Sequence, residues 1–124
     1  MYDKNVSPVG WYIGTYLLRF TEVGYKKNNS PEERFTSWEN TVIVKAKDMN
    51  EAYAKIAKIG KSHTKPYKGG PNGIPVQWMF EGLTELLPIY DALEDGAEVI
   101  WAEHGPRKLK NLKKIVRARD EFKQ

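Results

Sequence analysis

A concentrated positive charge lies at the end of the chain. Residues 107–124, RKLKNLKKIVRARDEFKQ, contain eight Lys or Arg and two acidic residues, a net charge of +6; the whole chain is +4, so residues 1–106 are −2. Clustered cations neutralise phosphate groups, so this stretch predicts contact with nucleic acid. An acidic protein partner and the solvated face of a packed helix are the alternatives. The candidate binding residues are Arg107, Lys110, Lys113, Lys114 and Arg117.

Apolar residues recur through the same stretch at helical spacing. The pattern predicts an amphipathic helix over residues 106–122, introduced by Pro106, with its cations on the side opposite the apolar one. An apolar helix side packs on a sheet or on a second subunit. The apolar positions are Leu109, Leu112, Ile115, Val116 and Phe122.

The four tryptophans all fall in segments that are predicted to be strands. Exposed aromatic side chains on a sheet stack nucleic-acid bases, although no segment here matches the ribonucleoprotein motif. A strand tryptophan more often fills the core, because it buries a large area. Since a small core rarely encloses four of them, we expect some to border a groove or an interface. The candidates for that surface are Trp11, Tyr53, Trp78, Glu81 and Trp101.

Carboxylates in the second half of the chain raise the question of catalysis. Glu81, Glu85 and Asp91 with His63 or His104 have the side chains for proton transfer in a small hydrolase. Nothing in the local sequence brings these partners together. The acidic run from Asp91 to Glu98 does not have the spacing of a calcium loop, so no metal or cofactor is expected.

Period-two alternation predicts the strands that must position these side chains. The predicted strands are residues 11–23, 38–47, 76–83 and 97–103. The first is apolar on both faces, which is typical of a central strand. Tyr12, Tyr16, Leu18 and Phe20 are predicted to share one face of it, and Trp38 to point inward from the second strand.

The main predicted helix spans residues 48–60. Asp48 is placed to cap it, with Glu51 three residues on, and Gly60 is placed to end it. A short helix is predicted over 84–94, and the C-terminal amphipathic helix over 106–122. Residues 24–37 and 61–75 are predicted loops.

These elements predict an α+β fold, a four-stranded, mainly antiparallel sheet packed by helices. The length predicts a single domain over 1–124, with 107–124 as a basic helical extension. The absence of cysteine excludes disulfides and thiolate zinc sites. No apolar run approaches the roughly 18 residues of a membrane span, and no signal peptide is recognisable. These observations predict a cytoplasmic protein without membrane contact.

Four fragments together resemble a mostly bacterial family known as domain of unknown function 4288. They are WYIGTYLLRF from residue 11, DMNEAYAKIAKIG from 48, VQWMFEGLTEL from 76 and LEDGAEV from 93. The resemblance covers about residues 11–99 and excludes the basic C-terminal segment. It implies a compact α+β domain and supplies no catalytic residue. The matching residues are Trp11, Tyr12, Glu51, Ala52, Tyr53, Trp78, Phe80, Gly82, Gly96, Glu98 and Val99.

The sequence favours a non-enzymatic binding module that contacts another protein, as accessory, inhibitor or immunity-like proteins do, or a second copy of itself. Nucleic-acid binding through the basic C-terminal helix is the first alternative. The hydrolase with a carboxylate and histidine site is the second.

Overall fold

The computed structural model describes residues 3–124. Residues 1 and 2, which the predicted 1–124 domain includes, lie outside the described part. Four strands form one antiparallel sheet in the order β2-β1-β4-β3, and one long helix packs against it. The fold is therefore α+β, as predicted. The elements are β1 Trp11–Glu22, β2 Ser37–Lys45, α1 Met49–Lys61, β3 Tyr67–Gly69, β4 Ile74–Pro88 and α2 Leu109–Lys113.

Strand β1 lies at the centre of the sheet, between β2 and β4, as its two apolar faces predicted. Tyr12, Tyr16 and Leu18 point toward α1 and are at most 3% exposed. Ala52 and Ile56 of α1 pack on them and are fully buried. The core thus lies between α1 and one face of the sheet, and Tyr12, Tyr16 and Leu18 share that face as predicted.

Helix α1 begins as predicted. The side chain of Asp48 accepts a hydrogen bond from the Glu51 N–H at 2.8 Å, and Glu51 Oε1 accepts one from the Lys47 N–H at 3.3 Å. Its end was predicted wrongly, because Gly60 lies inside the helix and is not a left-handed cap. A Cβ at Gly60 would lie 2.5 Å from Phe80 Cε1, so glycine is needed there for close packing on the sheet.

The predicted helix over 84–94 is wrong. Residues 84–88 continue β4, where Glu85 pairs with Thr15 and Leu87 with Ile13 of β1. Pairing with a central strand satisfies the backbone hydrogen bonds of this segment and outweighs its helical pattern. Gly82, with φ of 144°, lies where the register between β1 and β4 shifts.

The predicted strand over 97–103 is also wrong, because these residues are in neither strand nor helix. The fourth strand is β3, inside the predicted 61–75 loop, and Tyr67 of β3 pairs with Val76 of β4. The turn between β3 and β4 uses Gly70 and Gly73, both with positive φ. Glycine adopts this backbone readily, so the Gly-rich loop is a hairpin turn.

The predicted amphipathic helix over 106–122 is not confirmed. Within this stretch α2 has five residues, and a single 3₁₀ turn follows at Arg119–Glu121. Every residue from 101 to 124 is exposed. Isolated helices shorter than about 12–15 residues are marginal in water, and no packing surface supports this one.

Candidate functional site

Helix α1 covers one end of its face of the sheet, and at the other end aromatic side chains are partly buried or, for Trp38, exposed. We call Phe20, Trp38, Trp78 and Phe80 the aromatic shelf. The ring centroids of Trp38 and Trp78 are 5.0 Å apart, and those of Phe20 and Trp78 are 5.1 Å apart. Trp38 is 57% exposed. A large ring with this exposure, packed on a second tryptophan, is a typical binding surface.

Strand register places the shelf. Leu18 of β1 is paired with Trp38 on β2 and with Phe80 on β4, and Phe20 is paired with Trp78. Paired residues of neighbouring strands share a face of the sheet, so four aromatic side chains from three strands meet on one surface.

Lys61 at the end of α1 and His63 just after it contact aromatic rings on the same face. Lys61 Nζ lies 5.7 Å from the centroid of the Phe80 ring, a cation–π contact. The His63 ring stacks on Tyr16 with centroids 6.0 Å apart. On the α1 side of the sheet, no Asp or Glu lies within the stretches 12–20, 38–44 and 76–80, and Glu22 follows at the end of β1. The shelf is therefore aromatic, with the positive charge of Lys61 beside Phe80.

On the opposite face, Arg19 holds the loop between β1 and β2. Its Nη1 donates to the Asn28 carbonyl at 2.6 Å, and its guanidinium carbon lies 4.5 Å from the centroid of the Phe35 ring. Its Nε also lies 3.5 Å from Glu81 Oε1. The side chain is only 16% exposed. The predicted loop is thus tied to the sheet by one arginine.

Replacing Arg19 with methionine is expected to loosen residues 23–36 while the sheet stays folded. The substitution removes the hydrogen bond from a charged donor and the stacking on Phe35. The free energy of local opening should fall by about 1.5 kcal/mol, so amide hydrogen exchange in the loop should rise about tenfold. Glu81→Gln is the control, because it removes the exposed ion pair and keeps the contacts to Asn28 and Phe35. Equal loop exchange in wild-type protein and Arg19→Met would contradict this role.

The five residues predicted for a groove or interface do not form one surface. Trp78 lies in the shelf, whereas Glu81 contacts Arg19 on the other face. Tyr53 is exposed on α1, and Trp101 is exposed in the C-terminal segment. Trp11 is half-buried at the start of β1, paired with Lys45. Within residues 3–124 no ring contact, hydrogen bond or ion pair joins any two of the five.

The sequence reasoning missed Trp38, Phe20, Phe80 and Lys61 as site residues. Trp38 does point toward the α1 side, as predicted, but α1 does not reach far enough to bury it. The alternating aromatics of β1 and β4 were the available signal. Without the strand register, the sequence does not show that they meet.

The five basic candidates do not form one helical face. Lys110 and Lys113 lie in α2, Arg107 precedes it, and Lys114 and Arg117 follow it. Arg117 contacts residues four and five positions further along the chain. It donates a hydrogen bond to the Glu121 carbonyl at 2.7 Å, and its guanidinium lies over the Phe122 ring. The apolar residues of this segment are exposed, from Leu112 at 40% to Val116 at 78%.

The proposed catalytic groups each have a different neighbour. Glu81 lies beside Arg19, Glu85 Oε1 accepts from the adjacent Leu86 N–H, and Asp91 Oδ2 accepts from the Glu98 N–H. His63 stacks on Tyr16 and His104 is exposed. In the described part of the chain, no three His, Asp or Glu residues are arranged to hold a metal ion. These contacts give the hydrolase alternative no support.

A four-stranded antiparallel sheet with one packed helix defines the chain as a small α+β domain. The chain belongs to the family described as "Domain of unknown function (DUF4288)", whose model matches residues 11–101. The resemblance predicted from the sequence is therefore confirmed, and the whole basic C-terminal segment, residues 107–124, lies beyond the match. Searches of curated proteins and of solved structures give no match. None of the helices in residues 3–124 is both long enough and apolar enough to cross a membrane.

Proposed function

We propose that the protein is a protein–protein interaction module that binds an acidic partner through residues 107–124. The observation that carries this proposal is the exposure of a regular apolar pattern. Leu109, Leu112, Ile115 and Val116 are spaced for one side of a helix, yet they are 40–78% exposed. An apolar stripe that has no packing surface within residues 3–124 is complementary to a groove on another molecule.

The charge of the segment defines the partner. Its net charge of +6 stands against −2 for residues 1–106. If the helix of α2 extends through the segment on binding, the apolar side enters a groove and the cations contact an acidic rim. A phosphate backbone complements the cations but not the apolar side, so a protein groove is the better match.

The segment therefore orders when it binds. Its five-residue helix has no side-chain N-cap hydrogen bond at Lys108, and helix formation from such a short nucleus is unfavourable. A groove that covers the apolar side supplies the missing stabilisation, at the cost of ordering the segment.

The test of this proposal uses Leu112→Ala with Ile115→Ala in the full chain. Both side chains are exposed, so the free energy of unfolding should change by less than about 0.5 kcal/mol. Proteins retained from a lysate of the native cells, quantified by mass spectrometry, should include acidic proteins that this double variant no longer retains. Lys110→Gln with Lys113→Gln should weaken their retention most at low salt, and the difference from the wild-type chain should shrink as salt rises.

Ile74→Ala is the matched control for this experiment. Ile74 is 43% exposed, close to Leu112 and Ile115, but it lies at the start of β4. The control should retain the same proteins as the wild-type chain. Identical retention by the double variant and the wild-type chain would overturn the proposal.

A further inference from the structure

The aromatic shelf is separate from the C-terminal segment and has its own chemistry. Trp38 lies on the edge strand β2 and is 57% exposed, and its ring is supported from behind by Trp78. The Phe20 ring also packs against Trp78, with the two ring centroids 5.1 Å apart. The supported ring is held in place, so a flat ligand stacks on it with little loss of side-chain freedom.

The charge beside the shelf favours an anionic ligand. Lys61 lies over the Phe80 ring, and Lys58 and Lys65, before and after it in the chain, are exposed. On the α1 side of the three shelf strands, the stretches 12–20, 38–44 and 76–80 contain no acidic residue, and the first one beyond them is Glu22, which pairs with Val76 at the end of β1. Flat rings beside cations are complementary to a molecule that alternates aromatic groups with negative charges.

We propose that the aromatic shelf binds single-stranded nucleic acid, with a base stacked on Trp38 and the phosphate backbone passing Lys61. An aromatic ring accepts any base by stacking, and cations track the backbone. A duplex does not fit, because its bases are already stacked on one another. The site goes beyond the proposed protein contact of residues 107–124 and uses none of its residues.

The separation of the two surfaces makes the proposal testable in the full chain. The basic segment attracts any nucleic acid through charge, and this attraction weakens with salt. Stacking on Trp38 carries no charge, so its loss lowers affinity at every salt concentration. A substitution that changes a ring but no charge therefore distinguishes the shelf from the segment.

The experiment measures binding of labelled oligothymidylate and oligouridylate of about a dozen nucleotides, within the usual site size of such surfaces, across a salt series. Trp38→Leu should lower affinity about 5- to 150-fold, as for one lost stacked base. Trp101→Leu is the matched control, because Trp101 is 49% exposed and lies outside the shelf. It should bind as the wild-type chain does.

A second variant keeps the test valid if Trp38→Leu folds poorly by circular dichroism. Lys61→Gln changes an exposed residue and should reduce the slope of log affinity against log salt by about 0.7, as for one lost phosphate contact on a single strand. No binding, or equal binding by wild type and both shelf variants, overturns the proposal. So does preference for a duplex, or for oligoglutamate with the same dependence on Trp38.

Discussion

Replacing Ile56 with alanine is expected to lower the free energy of unfolding by about 2–5 kcal/mol. Ile56 is fully buried and packs with Tyr12, Tyr16 and Leu18 between α1 and the sheet. Alanine removes three carbon atoms from this contact and leaves a cavity that rigid β1 cannot collapse to fill. Urea unfolding monitored by tryptophan fluorescence measures the change.

Tyr53→Ala is the control, because Tyr53 lies on the same helix and is 54% exposed. Its side chain is about half exposed and lies outside the core, so its loss should cost about 1 kcal/mol, less than the loss at Ile56. Equal costs for the two substitutions would mean that burial against the sheet does not hold α1 in place.

Gly14→Ala is expected to destabilise the fold by about 1–3 kcal/mol, although it adds a single methyl group. A Cβ at Gly14 would overlap Ile56 Cδ1 and lie 3.3 Å from the carbonyl oxygen of Glu85. The glycine thus lets α1 approach the centre of the sheet. Gly105→Ala should be nearly neutral, because a Cβ there meets no other atom within 4 Å.

A double-mutant cycle identifies which contact is responsible. Ile56→Val removes Cδ1, so Gly14→Ala should cost less in that background, with a coupling energy above about 0.5 kcal/mol. Additive costs would instead place the conflict at the Glu85 carbonyl, which Ile56→Val does not move.

Elements with strong local signals were predictable from the sequence. The capping residues Asp48 and Glu51 define where α1 begins, and the two apolar faces of β1 place it at the centre of the sheet. Here the local preference and the tertiary environment agree, so a pattern read along a short stretch is sufficient.

The errors arose where pairing or packing between distant segments decides the structure. Residues 84–88 have helical spacing, but β1 offers them a partner strand some seventy residues earlier in the chain, as in the pair Glu85 and Thr15. The segment 106–122 has helical spacing as well, but it finds no surface to pack on and stays exposed. Periodicity gives the same prediction in both cases and cannot distinguish them.

The candidate site was only partly predictable for the same reason. Trp78 was a candidate for a groove or an interface, but its ring partners Trp38 and Phe20 come from strands more than thirty residues away. Their meeting depends on the register of β1 with both neighbours and on α1 ending at Lys61. Neither the strand register nor the end of α1 can be predicted from the residue spacing within a single segment.

The unequal lengths of β3 and β4 bear on how the protein behaves when concentrated. β3 pairs only with Ile74–Val76, so the described part of the chain provides no outer strand for β4 from Gln77 to Pro88. A long regular edge of this kind recruits strands from other molecules and leads to aggregates. Here the kink at Gly82 and the proline at its end interrupt the row of backbone donors and acceptors. The irregularity therefore protects the chain against open-ended sheet growth while leaving β4 long enough to support the core.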